Sequence, residues 1–303
     1  MKKILEQKHT EQQESAVVYF TDRITPEGLM DIYHALGRTA SGKVAVKLST
    51  GEPGGHHFLS TKLIEPLVKE VNGTIVECNT AYGGPRSTTH QHRKVAEDHG
   101  FTSIAEVDIM DADGDMEIPV KGGKIMETNI VGTHLTNYDF MVDLVHFKGH
   151  MMGGFGGALK NLSIGVASSR GKGKIHNGGK EGAFDMNAKQ NPFLECMAEA
   201  SKSVSDHFGE KIIYINVMNN LSVDCDCDSN PAAPEMDDIG ILASLDPVAL
   251  DQACVDQVYS ATKGNNKPLI ERMEGRNAIH ILEHAVEIGY GTRNYELFSI
   301  DEQ

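Results

Sequence analysis

Short apolar runs of strand character alternate along this chain with longer amphipathic runs, and that alternation dictates a layered α/β architecture. The strand-like runs are Val17 to Phe20, KVAVKLS (43–49), TIVECNT (74–80), Phe140 to His146, KIIYINV (211–217) and DIGILAS (238–244). Between them lie helical patterns. PEGLMDIYHALG opens with Pro26 and stops at Gly37; TKLIEPLVKEV (61–71) gathers Leu63, Ile64, Leu67, Val68 and Val71 on one face, with Pro66 as a kink. A polar helix over 87–99 ends at Gly100, with His90 and His92 read as surface residues, and further helices are predicted over 192–208, 246–258 and 278–288. The pair Asp246-Pro247 supplies an N-cap and a first-turn proline. Residues 105–132 are alternating and acidic, with Gly114 and Gly122-Gly123 as turn signals, and read as a β-hairpin excursion. The predicted fold is thus a mostly parallel sheet with helices on both faces, one α/β domain over 1–303 in which two lobes, if present, would meet near 135–185.

In such a sheet the strand carboxyl ends share an edge, and ligands bind in the crevice beyond it. Three loops that follow predicted strands carry concentrated chemistry. The first, Lys47 to His57, offers a cation and the glycines Gly51, Gly54 and Gly55 beside Glu52, a backbone that can approach a ligand closely. The second runs from Asn79 through Gly83 and Gly84 to Arg86, and then opens a helix with Ser87 and Thr88, a seat for carboxylate or phosphate oxygens. The third, HFKGHMMGGFGGALKN (146–161), interleaves His146, Lys148, His150, Lys160 and Asn161 with Gly154, Gly156 and Gly157. It has neither the Rossmann glycine spacing nor the Gly-Lys-Ser/Thr ending of a P-loop. Its histidines suit proton transfer or metal binding. These loops make His146, Lys148 and His150 the candidate catalytic residues. Lys47, Gly51, Glu52, Asn79, Arg86, Gly154, Gly156, Gly157, Lys160 and Asn161 are the candidate ligand-binding residues.

Charge bears on the partner. The net charge of -15 argues against nucleic acid and anionic membranes, which need a basic footprint, but leaves room for a small anionic ligand in a locally basic pocket. No run reaches the roughly 18 apolar residues of a membrane span, and the N-terminus has no apolar run after its lysines, so a cytoplasmic location is expected. Oligomeric state is left open.

The five cysteines do not suggest a disulfide framework. Cys78, Cys196 and Cys254 sit in apolar or helical runs. Cys225 and Cys227 alternate with Asp224, Asp226 and Asp228; in an extended segment the thiols would face one side and the carboxylates the other. The expectation is a reduced pair facing the crevice within reach of His146 or His150, able to hold a transition metal. A calcium loop is excluded by Ser229, Pro231 and Pro234.

With these motifs in view, the chain resembles the family catalogued as domain of unknown function 362, often labelled iron–sulfur-centre-like. The resemblance spans about residues 15–260. It rests on VAVKLSTGEPG (44–54), residues 79–86, residues 146–161 and CDCDSNPAAPEMDDIGILASLDPVALDQA (225–253). Relatives often carry ferredoxin-type cysteines after the segment matching Gly171 to His176; here NGGKEGAFDMNAKQNPF holds none, so no ferredoxin-type cluster is implied. The resemblance implies the fold and the pocket and no reaction. Residues alone leave three readings: an enzyme on a small anionic metabolite, a metal or redox protein using Cys225, Cys227 and a histidine, and a non-catalytic binding protein.

Overall fold

The strand-like runs become strands of a single large sheet. The computed structural model describes residues 15–301 apart from 183, 186 and 187, so residues 1–14 of the N-terminal stretch discussed above lie outside the described residues. In chain order the elements are β1 (Ala16–Thr21), α1 (Pro26–Ala35), β2 (Val44–Lys47), α2 (Thr61–Glu70), β3 (Gly73–Glu77), α3 (Thr89–Asp98) and β4 (Val107–Ile109). There follow β5 (Asp115–Pro119), β6 (Thr128–Gly132), β7 (Phe140–His146), β8 (Lys148–His150), β9 (Gly154–Gly156), α4 (Ala158–Val166), α5 (Ser169–His176) and α6 (Gln190–Phe208). The chain continues with β10 (Ile212–Met218), β11 (Gly240–Ser244), α7 (Pro247–Ser260), α8 (Lys267–Gly275), α9 (His280–Glu287) and β12 (Tyr295–Ser299).

The main sheet has eight strands in the order β12-β1-β11-β10-β7-β2-β3-β4, and β11 alone runs against its neighbours. Alternation assigns the faces. Val44, Val46, Phe140, Val142, Ile213 and Ile215 point to the side covered by α1 and α2. Ala45, Met141, Val145, Ile212 and Tyr214 point to the side covered by α4, α6 and α7. Both faces are therefore apolar, as a parallel sheet requires. Local signals set the helix starts: Thr25 accepts the Gly28 amide before Pro26, and Asp246 accepts the Val248 and Ala249 amides before Pro247.

The fold departs from the sequence reading in three places, and the state of the cysteine pair, described below, is a fourth. The excursion is shorter than 105–132: β5 and β6 form the antiparallel hairpin, while Val107–Ile109 adds an edge strand to the main sheet. His92 is fully buried, because α3 turns it inward with Val95 and Ala96. The segment bearing Cys225 and Cys227 is a series of turns and not an extended strand, since Asp226 has to turn inward to meet its partners.

Candidate functional site

β7, β2 and β3 are adjacent and parallel, so the loops after His146, Lys47 and Glu77 leave the same edge of the sheet. Lys47 and Asp143 are cross-strand neighbours there, and Asn161 of α4 ties them together. Its amide nitrogen donates to Asp143 Oδ1 at 2.7 Å and to the Lys47 carbonyl at 3.0 Å, while its oxygen accepts from Lys47 Nζ at 3.1 Å. Burial pushes the Asp143 carboxyl well above its ordinary value, with the Asn161 hydrogen bond opposing it.

Lys47 Nζ also donates to Glu77 Oε2 at 3.1 Å and to the Leu48 carbonyl at 2.6 Å. Glu77 Oε1 accepts the Thr50 amide at 2.9 Å and lies 3.5 Å from Arg86. Burial alone would raise the Glu77 carboxyl, but Lys47, foremost among its neighbours, outweighs it and holds Glu77 at about 2. Arg86 donates from Nε to Glu52 at 2.8 Å, and Tyr82 donates to the same carboxylate at 2.8 Å. His92 Nε2 sits 3.9 Å from Glu77, and burial pulls that ring down to about 3, so it stays neutral.

A second carboxylate anchors the other side. Asp226 accepts from His146 Nδ1 and from Lys148 Nζ, both at 2.8 Å, and these two partners hold it below the ordinary carboxylate range against the opposing effect of burial. His146 Nε2 meets the Asn219 carbonyl at 2.6 Å, and Lys148 also donates to the His146 carbonyl at 2.6 Å. Both ring nitrogens of His146 thus face oxygen atoms, which fix the orientation of the ring. His57, half-buried in the first loop, lies beside this pair with its Nδ1 unpartnered among the described residues.

Of the four lysine and arginine side chains gathered here, three have carboxylate partners, and the one left over is Lys160. Lys47 is paired with Glu77, Arg86 with Glu52 and Glu77, and Lys148 with Asp226. Among the described residues no hydrogen bond or ion pair engages Lys160 Nζ. The side chain keeps some exposure but is ringed by protein, and burial, then Lys148, Lys47 and Arg86, pull its ammonium down to about 7. An anion arriving there would reverse that shift.

The third loop folds into the small β8–β9 hairpin, which brings Lys148 and Gly156 beside Lys160. A Cβ on Gly156 would have Lys160 Cδ 3.8 Å and Lys148 Cε 3.9 Å away, so that glycine lies beside the stems of both lysines. Other glycines serve packing. A Cβ on Gly157 would come 2.2 Å from Asp251, whose carboxylate accepts the Ala158 and Leu159 amides and so occupies the amino end of α4. Gly154 packs against Ala278 and Gly51 against Phe58, while Asn79 is held by Thr89 and Asp111.

His150 Nδ1 accepts the Gly153 amide at 2.8 Å, and burial drives the ring well below its usual value. A ring nitrogen of His150 and the sulfurs of Cys225 and Cys227 all lie within 4.8 Å of one another, a set of donors that could hold a metal. The two cysteines, expected as free thiols, are joined by a disulfide; the turn around Asp226 brings their sulfurs together. A cavity of about 670 Å³ lined by Phe155, Tyr259, Met273 and Arg293 lies elsewhere, and none of the charged crevice residues lines it.

Residues 44–256 match the family described as Domain of unknown function (DUF362). The chain belongs to this family. No curated protein matches it. Two solved structures resemble it at low identity. One is a lactate racemase apoprotein from Thermoanaerobacterium thermosaccharolyticum, 17% identical, with a TM-score of 0.40, covering 67% of this chain and 50% of its own. The other is a Thermotoga maritima protein, 13% identical, with a TM-score of 0.42, covering 86% and 58%. This DUF362 chain therefore spans only about half to three-fifths of those proteins.

Sequence reasoning passed over Glu77, Asp143, Asp226 and Asp251, the carboxylates that organise the site. Three had a readable signal. Glu77 in TIVE and Asp143 in FMVDLVH are charges inside largely apolar strands, and Asp251 directly follows the apolar run PVAL. A buried charge implies a buried partner.

Proposed function

We propose that this DUF362 chain is an enzyme that binds a small carboxylate- or phosphate-bearing substrate at Lys160. The observation that carries the reading is the uncompensated ammonium of Lys160, set among cations whose own carboxylates are already in place. Lys47, Arg86 and Lys148 shape the positive field, and Lys160 supplies the contact. His150 is the proton-transfer candidate: burial disfavours its charged form, Nδ1 accepts from Gly153, and the other ring nitrogen has no hydrogen-bond partner among the described residues. Inorganic phosphate and a short dicarboxylate such as succinate, titrated calorimetrically into wild type and Lys160→Gln, test the binding half. Wild type should bind at least one of them, and the variant should lose at least tenfold in affinity. Incubation with phosphorylated and oxo-acid metabolites, read by NMR, tests turnover: conversion by wild type should disappear in His150→Gln while binding persists. Equal binding by Lys160→Gln would overturn the site, and binding without any conversion would make the chain a binding protein.

A second reading is favoured by one observation, the clustering of His150, Cys225 and Cys227. Two sulfurs and an imidazole suit zinc or iron and leave further coordination positions for water or substrate. Metal content measured on protein purified under reducing conditions tests it.

A further inference from the structure

We propose that the Cys225–Cys227 disulfide is a redox gate on that metal site: closed when oxidised, and on reduction opened to one thiophilic divalent cation held by both sulfurs and His150. The proposal rests on the metal reading above and adds its control. The disulfide has little structural work to do. Its cysteines are two positions apart, so it closes a minimal loop and removes almost no freedom from the unfolded chain. A bond that contributes so little to stability has chemistry as its remaining role.

The surroundings hold the donors in place without that bond. Asp226, between the cysteines, is clamped by His146 and Lys148, and its carbonyl accepts the Glu52 amide at 2.9 Å. The Asp228 amide reaches back to the Cys225 carbonyl at 2.9 Å. Gly149 lets β8 lie flat against the loop, since a Cβ there would come 2.2 Å from the Val223 carbonyl. Opening the disulfide therefore leaves both sulfurs beside His150. The nearby carboxylates do not compete as ligands: Asp226 is paired, Asp224 meets Arg272 and Asp228 accepts the Asn230 amide. Cys225 is buried while Cys227 is half-exposed, so an incoming thiol reaches Cys227 first.

The chemistry balances with a thiol reductant. A thiolate attacks Cys227 Sγ, the S–S bond breaks, and the electron pair leaves on Cys225 Sγ, which already accepts the Cys227 amide at 3.3 Å. A second thiol resolves the mixed disulfide, giving an oxidised reductant and two protein thiols. The cation then displaces two thiol protons and takes the ring lone pair of His150, which gives up its hydrogen bond from the Gly153 amide. In the disulfide neither sulfur carries the charge that makes cysteine a ligand, so the oxidised site stays closed.

The test uses full-length protein, stripped of metal and divided into disulfide and reduced forms by thiol counting. Cobalt(II) is titrated anaerobically into each, with thiolate-to-metal charge transfer as the readout, and zinc is measured by elemental analysis after desalting. The reduced form should take up one equivalent with the charge-transfer band, the oxidised form none, and reoxidation should release the metal. Cys225→Ser/Cys227→Ser should bind none in either state. His150→Gln should retain the thiol count but weaken binding at least tenfold; circular dichroism checks that both variants fold. Equal uptake by both redox forms would overturn the gate and leave the metal reading standing. No uptake by the reduced form would overturn both. Wild-type uptake by the double serine variant would place the metal elsewhere and overturn the proposal.

Discussion

Replacing Glu77 by Gln should destabilise the protein by about 3 kcal/mol at neutral pH. Glu77 and Lys47 are 5% and 1% exposed and 3.1 Å apart, so neither can exchange its partner for water. The Glu77 carboxyl is lowered from 4.5 to about 2, a difference worth about 3 kcal/mol at ~1.4 kcal/mol per unit. Deleting one member of a buried ion pair costs about 3–5 kcal/mol by general experience, in agreement. Glutamine keeps the shape and can still accept the Thr50 amide, so the loss isolates the charge. Because the folded-state value is depressed, this stabilisation is present above about 4.5 and is lost as pH falls toward about 2. Urea unfolding should therefore show a lower midpoint for Glu77→Gln at neutral pH, an unchanged slope, and a gap that closes in acid. A gap under about 1 kcal/mol at neutral pH, or one that persists undiminished in acid, would refute the assignment of Glu77 as the buried counter-ion.

Asp246→Ala should cost about 1–2 kcal/mol in the same assay, because its carboxylate accepts the Val248, Ala249 and Thr292 amides; a loss below about 0.5 kcal/mol would contradict the cap. Gly149→Ala should destabilise by about 2 kcal/mol or more, since the new methyl meets the Val223 carbonyl, and thermal unfolding with thiol counting should show the 223–228 turn loosened. Wild-type behaviour in that variant would mean the two segments do not touch.

The sheet was legible because its strands are short apolar runs separated by capped helices: Pro26, Gly37 and Asp246-Pro247 announce α1 and α7 without help from tertiary contacts. β12 and β4 were not, since YELFS and VDI are brief edge strands whose pairing comes from β1 and β3. The crevice was legible as a set of loops but not as a charge balance. Lys47, Arg86, Lys148 and Lys160 look alike in the sequence; only folding shows that Glu77, Glu52 and Asp226 satisfy the first three. His92 was misplaced for the same reason, as its helix is polar yet turns that ring toward Glu77. Cys225 and Cys227 gave no sign of their pairing, which depends on Asp226 bending the segment inward.

The central claim is that Lys160 carries an unpaired charge in a field set for an anion, and the titration of that side chain tests it most directly. Protein carrying ¹³C at lysine Cε would be titrated by NMR with and without inorganic phosphate, and Lys160→Gln would assign the resonance. The expected result is a Lys160 that loses its proton at about 7 in the free protein and at higher pH once phosphate is bound. Phosphate affinity should correspondingly be strongest below that value and fall as pH rises through it. A Lys160 that titrates with the ordinary surface lysines and does not respond to phosphate would contradict the claim.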